Sequence, residues 1–192
     1  GDNTLIGGAG ADALIGGGGL DTASYENATS GVTANLGSVN ANTGDAAGDS
    51  YASIGNLKGS FYADNLTGDS GANHLDGNGG TDTLTGGGGA DTFEFRVLPG
   101  NANLVTITDF APGVDRIALS QSMFAAAGPA GALAANAFAI GTSANDADDR
   151  IIYDSSNGNL IYDADGTGAQ PQTVFAVLSP SLGLTALDIL IV

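Results

Sequence analysis

The 192-residue sequence predicts an all-β protein in two parts, residues 1–95 and 96–192. Three observations predict it. Apolar residues recur every nine positions between Gly- and Asp-rich turns in the first part. Short alternating strands fill the second. Nineteen of the 21 acids are Asp, a turn residue, and only two are helix-favouring Glu.

Thirty-two glycines would suit a flexible chain, but 42% of the residues are hydrophobic, so a core is expected. Four basic residues against 21 acids give a net charge of -17. Nucleic acid and anionic membranes need a basic patch and are excluded as partners; a cation is indicated. There is no Cys, hence no disulfide and no thiolate chemistry. No run approaches the roughly 18 to 20 apolar residues of a membrane span, so no membrane insertion is expected. The first residues do not resemble an amino-terminal signal peptide, which puts any export address elsewhere.

The break at residue 95 is compositional: 23 of the 32 Gly precede it, and all five Pro follow it. Before it, GGAGADALI from Gly7 is followed by GGGGLDTAS, and from Gly59 come GSFYADNLT, GDSGANHLD, GNGGTDTLT and GGGGADTFE. The sixth position holds Asp12 and Asp21, then Asp64, Asn73, Asp82 and Asp91. The eighth holds Leu14 and Ala23, then Leu66, Leu75, Leu84 and Phe93. Gly1–Ile6 reads as the tail of an earlier repeat, with Asn3 and Leu5 in those two slots, so a longer parent protein is expected. In a three-residue strand only the middle side chain points inward, so stacked units build a thin apolar seam. The glycines supply backbone shapes that side chains forbid, and they expose carbonyl oxygens.

The pattern GGxGxDxUx, matched at Gly7–Ile15 and Gly86–Glu94, resembles the nonapeptide of calcium-binding RTX proteins. The resemblance implies a right-handed parallel β-roll, each repeat giving a six-residue calcium-binding turn and a short strand. Expected calcium ligands, several ions in all, are the acids and amides of the sixth position and the carbonyls of the turn glycines. They are Asn3; Gly8, Gly10 and Asp12; Gly17, Gly19 and Asp21; Gly59 and Asp64; Gly68, Gly71 and Asn73; Gly77, Gly79, Gly80 and Asp82; and Gly86, Gly87, Gly88, Gly89 and Asp91.

With 18 residues per full coil, Asp64 should face Asp82, Asn73 should face Asp91 and Asn3 should face Asp21, about one strand spacing (~4.8 Å) apart. Columns of like charge that close need a cation between them. Calcium suits them, because it takes about six to eight hard oxygens in flexible geometry; magnesium prefers a rigid octahedron and zinc prefers nitrogen or sulfur.

Residues 25–58 interrupt the period. Val32 keeps the first block's inward slot and Leu57 the second's, but they lie 25 apart instead of 27, a slip of two. Val32–Leu36 and Tyr51–Leu57 are expected as irregular rungs, with Asn40–Asp49 as a solvated loop; a ligand role for Asp45 and Asp49 is the other reading.

In the second part, TFEFRV, LVTITDF and DRIALS read as strands. RIIYDSSNGNLIYDADG reads as a hairpin turning at Asn157-Gly158. Thr173–Leu178 and Asp188–Val192 read as two further strands, and Ser120–Ala144 as short helical turns. They are expected to pack as a β-sandwich-like cap over the roll's open end. ITDFAPGVDRIAL, DRIIYD and LIYDADG are similar to the carboxy-terminal domain of serralysin-type proteases and other type I secreted proteins. Asp109, 18 residues after Asp91, has two readings: a last calcium ligand, or a salt bridge with Arg116. Asp163-Ala-Asp165-Gly166 lacks the further acid of an EF-hand and reads as a plain turn. Asp188–Val192 is similar to the uncleaved export signals read by type I ABC transporters, and it also suits a buried last strand.

One His, no Cys and no triad leave nucleophilic or zinc catalysis little to work with. His74 is expected on the surface, and Arg96, Arg116 and Arg150 are expected to neutralise nearby acids. The expectation is a non-catalytic, secreted calcium-binding module for export and folding, with the type I ABC secretion apparatus as its partner. It would be disordered without calcium and fold on meeting it outside the cell. Rival readings are a calcium-ordered module of an adhesin or surface-layer protein, with calcium-dependent self-association, and a carbohydrate-binding module of a secreted polysaccharide-modifying enzyme.

Overall fold

The computed structural model describes residues 1–98, 100 and 102–192, and those residues form strands and short 3-10 turns. None of their helices is long and apolar enough to cross a membrane. The first repeats give β1 (Thr4–Leu5), β2 (Ala13–Ile15) and β3 (Thr22–Ser24). The irregular segment gives β4 (Thr33–Asn35), β5 (Ser50–Ala52) and β6 (Asn56–Lys58). The second repeats give β7 (Asn65–Thr67), β8 (His74–Asp76), β9 (Asp82–Thr85) and β10 (Thr92–Phe95). After the break come β11 (Val105–Ile107), β12 (Arg116–Leu119), β13 (Gly131–Ala132), β14 (Phe138–Ile140), β15 (Ile151–Asp154), β16 (Asn159–Tyr162), β17 (Thr173–Val177) and β18 (Ile189–Ile191).

From β6 to β12 successive strands fall alternately on two facing sheets, which makes a parallel β-roll, and β2 and β5 pair in a small sheet of their own. One sheet runs β1-β3-β6-β8-β10-β12-β18-β13, parallel up to β18. The other runs β4-β7-β9-β11-β17 in parallel and then turns antiparallel through β16 and β15. Within the repeats the step is 18 residues, as in Asn56↔His74 and Asn65↔Thr83. The inward residues Leu57, Leu75, Phe93 and Ile117 stack on one sheet and Ala34, Leu66, Leu84 and Ile107 on the other, all buried. At about 25 cal/mol per Å² of apolar surface, this seam is the main force stacking strands too short to stand alone.

Both sheets cross the compositional break without interruption. β10 pairs with β12 and β9 with β11, but the steps lengthen to Thr92↔Arg116 and Asp82↔Val105. The sandwich-like cap thus shares one apolar core with the roll, closed by Phe95, Phe124, Tyr153, Phe175 and Ile189. The hairpin forms as expected, with Asp154 opposite Asn159 and Gly158 at φ 85°. Between Ser120 and Ala144 two 3-10 turns form, Ala125–Ala127 and Ala135–Ala137.

The irregular segment departs from its expected path. Ala34, not Val32, takes the inward strand slot opposite Leu66. The two-residue slip sits in the turn between β3 and β4, which puts Val32 where an Asp normally stands. The chain then doubles back and lays β5 on β2, with Ala13 opposite Ser50. Asn40–Asp49 is not a solvated loop, since Asn42, Ala46 and Asp49 are buried in that return.

Candidate metal centre

Where an acid stands one coil further on, the sixth-position residue donates its backbone N–H to that acid's Oδ1, whereas Asp82 donates to Leu104 O. Asn3 donates to Asp21 at 2.8 Å, Asp64 to Asp82 at 3.0 Å and Asn73 to Asp91 at 2.8 Å, all 18 residues apart. These are the three pairings that the period predicts. The same bond spans the irregular places: Asp12 to Asp49 at 2.9 Å, Val32 to Asp64 at 2.7 Å and Asp91 to Asp115 at 3.0 Å.

The acid's other oxygen folds over the first residue of its own turn. A Cβ on Gly7, Gly16, Gly59, Gly77 or Gly86 would overlap the Oδ2 of Asp12, Asp21, Asp64, Asp82 or Asp91 respectively, and one on Gly68 would overlap the Asn73 side chain. Close approach, more than turn shape, therefore fixes glycine at the first position. Positive φ is required instead at the second and fourth positions, at Gly8 and Gly10, Gly17 and Gly19, Asn78 and Gly80, and Gly87 and Gly89. Between coils, Gly79 donates its N–H to Ser60 O and Gly88 to Asp69 O.

The turns fall into two sorts. Where the second position is left-handed, Oδ2 of Asp12, Asp21 and Asp82 is buried and accepts no hydrogen bond. Where Ser60 or Asp69 stands there, protein groups fill the need. Ser60 donates its N–H (2.6 Å) and its hydroxyl (2.9 Å) to Asp64, and Asp69 donates its N–H to Asn73 Oδ1 at 2.8 Å. The neutral Asn73 amide donates onward to Gly55 O, and Gly71 donates its N–H to Asp69. Turns 59–64 and 68–73 are thereby satisfied from within, whereas the carboxylates at 12, 21 and 82 are left with a buried bare oxygen, an arrangement that calls for a cation.

Electrostatics point the same way. Burial raises the carboxyl of Asp64, and that of Asp91, where Asp115, Asp109 and Asp69 add repulsion. Asp82 is pushed up to about 7, by burial first and then by Asp64 and Asp76. These acids resist being charged together unless a positive ion joins them. Among the described residues no three Asp, Glu, His or Cys side chains converge as an all-side-chain metal site. Ions held here would take carboxylate from Asp12, Asp21, Asp82 and Asp91 together with turn carbonyls, a hard-oxygen set that fits calcium and not zinc.

Asp115, and not Asp109, stacks on Asp91, because the coil from β10 to β12 is six residues longer than a repeat coil, with most of the excess between β10 and β11. Asp109 is exposed and accepts the N–H groups of Gly86 (2.9 Å) and Gly87 (2.8 Å), while Arg116 lies 3.8 Å from Asp188 instead of pairing with Asp109. Asp115 escaped the sequence reading, and Asp49 entered it only as the alternative to a solvated loop. Their signal was an acid two residues before an inward apolar one, as in Asp49-Ser-Tyr51 and Asp115-Arg-Ile117. His74 is partly exposed on the outer face of β8, where its Nε2 meets Glu94 at 2.6 Å. Arg96 pairs with Glu94 and Asp76, but Arg150 caps the carbonyls of Ala147 and Asp149.

The family described as the RTX calcium-binding nonapeptide repeat matches residues 1–23 and 58–93 in four copies. No curated protein matches the chain. Among solved structures, the solution structure of the AlgE6R3 subunit from the Azotobacter vinelandii mannuronan C5-epimerase is similar over 98% of this chain and 77% of its own, with 22% identity and a TM-score of 0.36. The matched repeats are the turns and strands in which sixth-position acids close on first-position glycines, so over residues 1–23 and 58–93 the chain carries RTX calcium-binding nonapeptide repeats.

Proposed function

We propose that this chain is a non-catalytic module of a secreted protein whose folding is switched on by calcium outside the cell. The observation that carries the reading is the pair of fully buried, unpartnered carboxylate oxygens on Asp21 and Asp82. Without a cation, each costs the folded state the desolvation of a bare carboxylate, of order 1–3 kcal/mol or more. An ion that binds only the folded turns stabilises it by mass action, about 2.7 kcal/mol per site at 100 times its dissociation constant. A few such sites match the whole stability of an ordinary domain.

In this reading the chain stays unfolded at the sub-micromolar calcium of a bacterial interior and suits threading through a type I ABC transporter. The carboxy-terminal strand β18 would carry the export signal before it is buried. Folding outside would then oppose backsliding. Circular dichroism at pH 7.5 in excess EGTA and in millimolar calcium tests the switch: at that pH β structure should appear only with calcium, and a fully β-rich spectrum in EGTA would overturn it. A second reading, a structural module that self-associates in calcium, is favoured by the exposed Ile140 and Leu187 on an apolar groove beside β14. Sedimentation with and without calcium separates the two.

A further inference from the structure

The segment between the matched blocks contains a degenerate repeat. Ser50 lies opposite Ala13, and Gly16 donates its N–H to Ala52 O at 3.0 Å. The same bond joins Gly59 to Asp76 O and Gly68 to Thr85 O, each from a turn's first residue to the last residue of the strand stacked on it. By that register Gly44–Ala52 is a nine-residue unit with Asp49 sixth, and Ser53 opens the next turn. The turn is cut to Ser53-Ile54-Gly55 before β6, so it brings no sixth-position acid.

What it brings is a carbonyl. In the second block, a first-position carbonyl from the following coil closes on the first glycine beside the sixth-position side chain, Gly77 O on Gly59 and Gly86 O on Gly68. Ser53 O occupies that place on Gly16, facing Asp21 Oδ2 across the space that a Cβ would fill. At Gly59 and Gly68 the side-chain oxygen has donors, from Ser60 and Asp69. At Gly16 it has none. Asp21 is 0% exposed, its Oδ1 is taken by the Asn3 N–H, and its Oδ2 meets no donor. Ser53 holds a φ of 54° to present its carbonyl. A buried carboxylate oxygen beside a carbonyl oxygen, with no proton between them, repels it unless a cation joins them.

We propose that the segment between the two matched blocks completes a calcium site of the first block, with Asp21 Oδ2 and the Ser53 carbonyl as opposed ligands and Gly16 leaving room for the ion. The site rests on the calcium-binding reading above, and it ties the first block to the second through a stretch outside the matched repeats.

Equilibrium dialysis against calcium, with metal analysis of the whole chain, tests it. Asp21→Asn and Gly16→Ala should each bind one calcium fewer than the parent, whereas Gly18→Ala, whose added Cβ would meet nothing within 4 Å, should bind the full number. Asp82→Asn serves as the reference for a site inside the matched repeats and should also lose one. Full binding by Asp21→Asn and Gly16→Ala, with loss in Asp82→Asn, overturns this site and leaves the general reading standing. A parent chain that binds no calcium removes the general reading itself. Because Gly16→Ala is able to disturb folding, the unaltered chain supplies a second measurement. Titration with paramagnetic gadolinium should broaden the amide resonances of Gly16, Ser53 and Ile54 along with those of turn 77–82. Sharp Ser53 and Ile54 signals beside a broadened turn 77–82 count against the proposal.

Discussion

The amide of Asp91 donates to Asp115 Oδ1 at 3.0 Å, so the ladder of sixth-position bonds runs past the compositional break and ends in the cap. Asp115 also accepts the Ala111 N–H at 2.8 Å, which ties the turn after β11 to the end of the column. Asp115→Ala should leave the buried Asp91 N–H unpaired and cost about 2 to 3 kcal/mol in calcium. Asp109→Ala frees N–H groups that water reaches and should cost about 1 kcal/mol or less. Urea melts of both variants in saturating calcium give the comparison, and equal losses would remove the special place given to Asp115.

The calcium-free chain should be more stable in mild acid than at neutral pH. Asp64, Asp76 and Asp91 have raised carboxyls, and Asp82 reaches about 7 from an unfolded value near 4. Between about pH 4 and pH 7 the folded chain therefore holds protons that the unfolded chain has shed, and stability falls as pH rises through that window. Glu94 runs the other way: burial raises it, but His74 and Arg96 outweigh burial and leave it lowered, a contribution lost only as pH falls below the carboxylate range. Far-UV dichroism of protein stripped of calcium and kept in calcium-free buffers should show β structure near pH 5 that fades towards pH 7.5, and saturating calcium should flatten the trend. A calcium-free chain that gains structure on going from pH 5 to 7.5 would contradict the buried-acid account.

The roll was legible in the sequence because its code is local. Leu66, Leu75 and Leu84 recur at nine, and an acid stands two residues before each inward side chain or nearly so, with Asn73 as the neutral variant. The three column pairings at spacing 18 follow from that arithmetic alone. The spacing failed where turn length changed. The extra residues before Asp115 and the shortened turn at Ser53 are not visible to a count of fixed period, because a turn absorbs insertions at small entropic cost while the strands keep their pairing. The slip at Val32 hid for a related reason, since Val32 and Ala34 are both apolar and both buried, and only the strand register distinguishes them. The division of labour among the turns was also out of reach. Ser60 and Asp69 look like ordinary polar substitutions until their donors are seen on Asp64 and Asn73.

That division yields the most discriminating change. Ser60 contributes an N–H and a hydroxyl to Asp64, and its own Oγ accepts the Tyr62 N–H at 3.0 Å. Ser60→Gly gives the Gly-Gly opening of turns 7–12, 16–21 and 86–91 and removes the hydroxyl that stands in for an ion. Asp64 is buried, so the lost bond should destabilise the calcium-free chain by about 1 to 3 kcal/mol. In calcium the turn regains a partner for the freed oxygen, and the stability difference from the parent should shrink while the calcium dependence of folding steepens. Thermal melts across a calcium series read both effects. A penalty of the same size at every calcium concentration would mean that Ser60 is only a turn-forming serine, and that turns 59–64 and 77–82 differ in shape without differing in their need for an ion.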